Sequence, residues 1–321
     1  MAPQAPDLSI LIVNWNGKQM LRDLLGSIRR TQENLTVQTI VTDNASTDGS
    51  VELVATEFPE VQLICNPANA GFGRGNNQAA GIAHAPLLLL LNNDTIVRAN
   101  ALQRLIAFIT QHPEVVAVGP QLIGGDGKPQ RSGRQLPTFA ALLNSIQFMK
   151  WTAAFRRAYQ NYRRGGFDPA TPGSIGQLAA AALLIRRDIF EKCHGFDEGF
   201  EFGVEDVDLC ARLKDFGAIY YFPEAQIDHL GRVSSRANRG FVYRGYECGW
   251  ARYLRKHHGP TEAIIYKFLV TLDMPFRLII LVVQLCFQRI SNQHEKAQRT
   301  SALLKAAAEF TFTALPLFWR A

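Results

Sequence analysis

The chain lacks most of the features that assign a protein quickly. Its five cysteines, Cys65, Cys193, Cys210, Cys248 and Cys286, are odd in number and widely scattered. No CxxC pair occurs among them, which argues against a zinc site and a disulfide framework and suits a reducing cytosolic compartment. The opening MAPQAPDLSI has no basic stretch followed by an apolar one, so no secretory leader is expected. No G-x-G-x-x-G follows the first strand-like run, which makes a nicotinamide enzyme a poor fit. No internal repeat or low-complexity tract is evident. Acidic residues are missing from Gly127 to Phe167, where Lys128, Arg131, Arg134, Lys150, Arg156, Arg157, Arg163 and Arg164 all fall. They are missing again from His229 to Tyr246, which holds Arg232, Arg236, Arg239 and Arg244. Such tracts, interleaved with aromatics, suit phosphate-bearing partners, although any single arginine is as readily part of a solvated face. A long apolar run is also lacking. The tail is rich in apolar residues, but Leu278 to Phe287 is shorter than the roughly 20 residues of a membrane span. Lys267, Asp273, Pro275 and Arg277 interrupt the wider segment, so an interfacial helix is expected, with a helix packed on its own domain as the alternative.

What is present is a globular α/β pattern. The chain has 321 residues, is 47% hydrophobic and carries a formal net charge of +6. LSILIVNW, VQTIVTDNAS, VQLICN and PLLLLLNNDT read as strands, and GKQMLRDLLGSIRR and STDGSVELVATEF as helices between them. The glycine-rich NPANAGFGRGNNQAAGIA reads as a loop after the third strand. A further helix and strand follow in QRLIAFITQHPEVVAVGPQLI, then a basic aromatic insert over about residues 130–172, a strand in AAAALLIRRDIF, a helix after GVED and a late strand ending near His229. Alternation of this kind implies a largely parallel sheet, with ligands at the carboxyl ends of its strands.

Five clusters fall at those ends. In VTDNASTDGS, Asp43 could accept from an imide N–H of a pyrimidine base, yet the same residues make an ordinary turn and helix cap. Gly71, Gly73 and Gly75 would let backbone approach a ligand, with Arg74 reaching a phosphate. In LLLNNDT, Asp94 is a single carboxylate suited to a hard divalent cation whose other positions are filled by water and phosphate oxygens, and Asn92 could bond a ribose hydroxyl. Glu205, Asp206 and Asp208 crowd a helix start, either as favourable N-terminal acids or as a general base beside like charges. His229 ends the last strand, as a structural histidine or a metal ligand.

In this order and at these positions, ILIVNWNG, VTDNASTDGS, NAGFGRGNN, LLLNNDT, GFDEGFEFGVEDVDLCARL and DHLGRVSSR resemble glycosyltransferase family 2, the inverting nucleotide-sugar transferases of the GT-A fold. Within it the pattern looks most like bacterial rhamnosyltransferases of cell-surface polysaccharide synthesis. The resemblance implies a Rossmann-like, mostly parallel sheet flanked by helices over residues 1–260, with the insert at 130–172, and a helical membrane-associating extension over 261–321. It implies a donor site of Val13, Asn14, Asp43, Asn69, Arg74, Asn76, Asn92 and Asn93, with Asp94 and His229 holding Mg²⁺ or Mn²⁺. Asp206 would be the catalytic base, and Glu205 and Trp15 are acceptor candidates. Three departures stand out: Asn92 replaces the first acid of the D-x-D position, AAAALL stands where a Gly-Ala pair is common, and FEFGVED lacks the usual aromatic before the acids.

The expected reaction moves a sugar, with L-rhamnose from dTDP-rhamnose as the candidate, from a dTDP- or UDP-sugar to a glycan hydroxyl, the acceptor being lipid-linked. The enzyme would sit peripherally on the inner face of the cytoplasmic membrane, on an anionic surface, with no nucleic acid partner; a homodimer is left open. A sugar-phosphate nucleotidyltransferase is the alternative, but it calls for a basic glycine loop right after the first strand, which VNWNGKQM does not supply. A non-catalytic nucleotide- or glycan-binding module would not need both Asp94 and the late acidic pair.

Overall fold

The computed structural model describes residues 5–165, 167–231 and 238–321, Arg164 by its backbone alone. Arg232 and Arg236 of the second basic tract, with the rest of RVSSR, lie outside the described residues. The chain forms two compact units. The first comprises Met1–Leu136, Gly166–Gly199 and Glu205–Gly231, and the second Pro137–Gly165, Phe200–Val204 and Arg232–Ala321. The division therefore falls away from residue 260: much of the insert, and the helix Arg239–His257, belong with the C-terminal helices.

The first unit is built on β1 (Leu8–Asn14), β2 (Val37–Asp43), β3 (Gln62–Cys65), β4 (Leu87–Asn92), β5 (Thr95–Val97), β6 (Val115–Ile123), β7 (Gly133–Arg134), β8 (Gly173–Ser174), β9 (Gln177–Leu178), β10 (Ala182–Arg186) and β11 (Ala218–His229). The main sheet runs β3-β2-β1-β4-β10-β6-β11-β5, with β8 also on β11, while β7 and β9 form a separate ribbon. The five leucines of β4 are buried, none more than 7% exposed. They alternate as a strand must: Leu89 and Leu91 pack with Ile10, Ile12 and Leu184 on one face, Leu88 and Leu90 with Leu11 and Leu183 on the other. The helix Lys18–Thr31 buries Leu21, Leu24, Leu25 and Ile28, the spacing expected of an amphipathic helix.

The sheet is largely parallel, as expected: β3, β2, β1 and β4 run parallel, as do β6 and β11, while β10 runs antiparallel to both β4 and β6. The chain enters β10 at the end where β4 leaves, Ala182 opposite Leu91 and Asn92 N donating to Ala181 O at 3.0 Å, so the strand runs back along β4. One expectation is corrected: the glycine-rich segment is mostly helix, Phe72–Gly81. Two of its glycines serve close packing: a Cβ on Gly75 would lie 2.8 Å from Val13 Cγ2, and one on Gly73 3.1 Å from Phe196 Cβ.

The second unit is helical, and its long helix Pro260–Ile290 is amphipathic in an inverted sense. It buries Lys267, Asp273 and Arg277 inside the unit, whereas Ile264, Phe268, Phe276, Ile279, Val283 and Phe287 are exposed. The charged residues that break the apolar run in the sequence are thus the inward ones, while Pro275 is exposed. Arg277 bonds Asp273 at 3.1 Å, Glu247 at 3.2 Å and Ser145 O at 2.8 Å, and Gln147 N donates to Asp273 at 2.7 Å, which ties residues of the insert to the C-terminal helices. The most apolar 18 residues have a mean hydropathy of 1.9, yet only 28% of that stretch is buried.

One helix offers a test of the glycine packing. Gly75→Ala should destabilise by about 1–3 kcal/mol through displacement of Val13. Gly81→Ala, where a Cβ meets nothing within 4 Å, should stabilise by about 0.5–1 kcal/mol by restricting the unfolded chain. Urea unfolding of the two variants should give opposite signs; the same sign in both would remove the packing account.

Candidate active site

The ends of β1 and β2 are joined in register, Asn14 opposite Asp43. Asn14 Nδ2 donates to Asp43 Oδ2 at 2.9 Å, and Ser46 N donates to Asp43 Oδ1 at 2.8 Å. Asp43 is buried, with both oxygens accepting, so its carboxylate shapes the following loop as a cap would. Asn14 Oδ1 accepts from Asn93 Nδ2 at 2.8 Å, which links the β1 end to the turn after β4. Trp15 is about half exposed beside them. Val13 sits opposite Asn92 in the register of β1 and β4 and under Gly75.

The other donor candidates are divided. Asn76 is buried; its Nδ2 donates to Phe72 O, and among the described residues its Oδ1 has no partner. Asn69 is exposed and its Oδ1 accepts from Gly71 N, a turn-closing bond. Arg74 is exposed, its nearest carboxylate being Glu198 at 3.9 Å. Asn92 spends its backbone on β10 and the Thr95 hydroxyl, leaving its amide partly exposed.

Asp94 follows β4, and His229 ends β11, 135 residues later by number (229 − 94). Two features bring them together. A register shift between Phe222 and Gln226 bends β11, and its last residues then pair with β5, His229 opposite Thr95. Leu230 N donates to Asp94 O at 3.0 Å and Gly231 N to Asp94 Oδ2 at 3.1 Å. His229 Nε2 then lies 3.5 Å from Asp94 Oδ1, both side chains largely shielded from solvent. Among the described residues no group of three or more His, Cys, Asp or Glu could hold a metal. A one-carboxylate, one-imidazole pair nonetheless fits a divalent cation that completes its shell with water and phosphate oxygens.

Asp206 lies in the first turn of the helix Glu205–Leu213. Burial of its carboxyl pushes the pKa up to about 6 from an ordinary 3.8, against the opposing pull of the Val207 and Ala180 backbones and the Arg134 charge. Val207 N donates to Asp206 Oδ1 at 2.8 Å. A carboxyl near 6 is ionised at neutral pH yet keeps more proton affinity than an exposed aspartate, as a general base requires. Glu205 beside it is buried, and Asp208 is spent on Arg212 at 2.7 Å. Burial also raises the thiols of Cys65, Cys193 and Cys210, the last to about 12, so none offers a thiolate at neutral pH.

The segment Ala180–Ala181 connects these groups: the backbone of Ala180 bonds Asp206, and Ala181 O accepts from Asn92 N. Small side chains there let backbone approach both the acid and the end of β4. Reading along the chain points to neither Ala180 nor Gln130, which bonds His229; both work through backbone or amide groups whose partners lie far off in sequence. Arg134 stood only as one member of a basic tract.

The family model described as glycosyl transferase family 2 matches residues 9–193, a stretch that contains Asp43 and Asp94 and ends before Asp206. An N-acetylglucosaminyl-diphospho-decaprenol L-rhamnosyltransferase of Mycobacterium tuberculosis is 29% identical over 240 residues, 69% of this chain and 75% of that protein. The succinoglycan biosynthesis protein ExoO of Rhizobium meliloti is 31% identical over 259 residues, 79% of this chain and 65% of that protein. Among solved structures, the mannosyltransferase PcManGT from Pyrobaculum calidifontis, in complex with GDP-Man and Mn²⁺, is similar at a TM-score of 0.56 and 14% identity, over 97% of this chain and 88% of its own. At that identity the likeness speaks to the fold, which is GT-A.

The raised pKa of Asp206 makes a stability prediction. The folded protein holds a proton that the unfolded chain releases, so this contribution is fully present below pH 3.8 and is lost as pH rises through about 6. Asp206→Asn escapes that loss. In urea unfolding it should therefore gain on the order of 2 kcal/mol over the parent between pH 4 and pH 8; an equal difference at both pH values would show that the carboxyl is not raised.

Proposed function

The chain belongs to glycosyltransferase family 2, and we propose that it is an inverting enzyme that moves L-rhamnose from dTDP-rhamnose to a hydroxyl of a polyprenyl-diphosphate-linked glycan. The observation that carries the reading is Asp206, a carboxyl of raised proton affinity, held by Ala180 one residue from the contact that anchors the Asp94 strand. In the proposed reaction the acceptor oxygen attacks the anomeric carbon from the face opposite the diphosphate. Its proton passes to Asp206, the bond from the anomeric carbon to the diphosphate oxygen breaks, and the nucleoside diphosphate leaves. One displacement inverts the centre, and no side chain forms a covalent intermediate.

Asp94 and His229 would hold the divalent cation, which when bound neutralises charge developing on the leaving diphosphate. An imidazole in the ligand pair favours Mn²⁺ over Mg²⁺. Asn14, Asn92, Asn93 and Asn76 present the polar groups for the nucleoside and sugar, and Asp43 holds the loop around the base. Trp15, half exposed at the β1 end, and Glu205, next to the base, remain the acceptor candidates. The rhamnosyl and lipid-linked parts of the reading are supported by the mycobacterial relative, whose name specifies both.

Membrane association is the second part of the proposal. A helix that turns charges inward and a row of Ile, Phe and Val outward is left with an apolar face that water does not suit. Trp151, 87% exposed, and the exposed Arg156 and Arg157 belong to the same unit. Aromatic and basic residues of this kind suit the headgroup region of an anionic bilayer at the inner face of the cytoplasmic membrane.

Two measurements test these readings. Asp206→Asn should lower transfer by about 10²–10⁴-fold with donor affinity by calorimetry in Mn²⁺ little changed, and the parent's kcat should climb as pH rises through about 6; substantial turnover in the variant would exclude Asp206 as base. The full chain should co-sediment with phosphatidylglycerol vesicles and lose that binding on I279E/F287E. Failure of the parent to sediment in low salt would rule out the membrane reading.

A further inference from the structure

Gln130 holds His229 at two points, one on its backbone and one on its ring, and the two bonds together decide which ring nitrogen carries the proton. Gln130 Nε2 donates to the backbone oxygen of His229 at 2.7 Å, and Gln130 Oε1 faces His229 Nδ1 at 2.8 Å. A peptide oxygen can only accept, so the amide NH₂ must face it. The amide oxygen is thereby turned to the ring, and because it too can only accept, Nδ1 must be the protonated nitrogen. In the neutral ring the lone pair is then left on Nε2, which lies 3.5 Å from Asp94 Oδ1. Free histidine favours the opposite tautomer, so the protein imposes this one.

Gln130 is itself fixed. Its backbone N–H donates to Leu122 O at 2.7 Å, and an isolated bridge pairs Ile123 with Pro129. On the far side of the pair, Gly231 at φ +67 turns its N–H onto Asp94 Oδ2, which leaves Oδ1 as the oxygen presented to Nε2. The carboxylate and the imidazole are therefore oriented by separate partners, each through the atom that does not face the gap between them.

We propose that Gln130 is a positioning residue for divalent-cation binding: by dictating the tautomer of His229 it makes Nε2 a lone-pair donor beside Asp94 Oδ1. This rests on the reading of Asp94 and His229 as the cation pair. An outer partner of this kind fixes ring orientation and tautomer, and its loss typically weakens metal affinity about 10–100-fold. Gln130 carries no charge, so it orients the ring without adding a second acid to a site whose D-x-D position already holds Asn92.

The test uses the full chain without substrate. Nitrogen-15 NMR of histidine-labelled metal-free protein, with His229 assigned by its absence in H229Q, should show Nδ1 protonated and Nε2 bare. Gln130→Met should shift His229 toward the Nε2–H tautomer and weaken Mn²⁺ binding, followed by electron paramagnetic resonance, by 10–100-fold; Gln130→Asn, which withdraws the amide from the ring, serves if the methionine variant does not fold. A parent ring protonated on Nε2, or on both nitrogens at neutral pH, overturns the proposal. So does unchanged Mn²⁺ affinity in the variant, which would leave the cation pair itself standing. A parent that binds no Mn²⁺ at all would sink both.

Discussion

The enclosure of β4 between β1 and β10, with a hydrophobic layer on each face, is the constraint on which the first unit depends. Five consecutive leucines leave that strand no face to give to water, so helices or further chain must cover both sides of the sheet. Once the strand is central, its register with β1 sets Asn92 opposite Val13 and puts Asn93 within reach of Asn14. The polar cluster at the carboxyl end is thus located by apolar packing, and to a much smaller degree by bonds among its own members.

What arrives at that end is arranged by backbone as much as by side chains. Ala181 O ties β10 to Asn92, the neighbouring Ala180 holds Asp206, and the peptide groups of Leu230 and Gly231 hold Asp94. Burying a carboxyl that is ionised at neutral pH costs stability, and for Asp206 the hydrogen bonds from Val207 and Ala180 only partly offset the loss of water. The molecule retains that cost at the residue proposed above as the base, and perturbed electrostatics of this kind cluster at functional sites.

In the second unit the same logic runs in reverse. Arg277, Asp273 and Glu247 are buried together, each bonded, and Tyr266 donates its hydroxyl to Glu247 at 2.8 Å. A buried charge cluster is tolerable only when its members satisfy one another, and this one joins Ser145 and Gln147 of the insert to the C-terminal helices. With the polar side of the long helix used in this way, its apolar side is left facing out.

Much of this was legible along the chain. Strand β4, the amphipathic helix Lys18–Thr31 and the placement of Asp43, Asp94, Asp206 and His229 at element ends follow from periodicity and turn chemistry, which act over a few residues. The glycine stretch was misread as a loop because glycine permits both a loop and a tightly packed helix, and only Val13 and Phe196 lying against Gly75 and Gly73 decide between them. The reversed β10 leaves no mark along the chain, because strand direction depends on which end of the sheet the chain re-enters. Lys267, Asp273 and Arg277 read as interruptions of an apolar face until their partners, up to 132 residues away in the case of Ser145 O, show them turned inward. By itself the sequence determined the elements, the family and the residue types able to do the chemistry, since each is a local property of the chain. Tertiary structure alone decided that Gln130 faces His229, that Ala180 cradles Asp206 and that Asp94 meets Nε2, because hydrogen-bond partners distant in sequence are chosen by packing and leave no periodic trace.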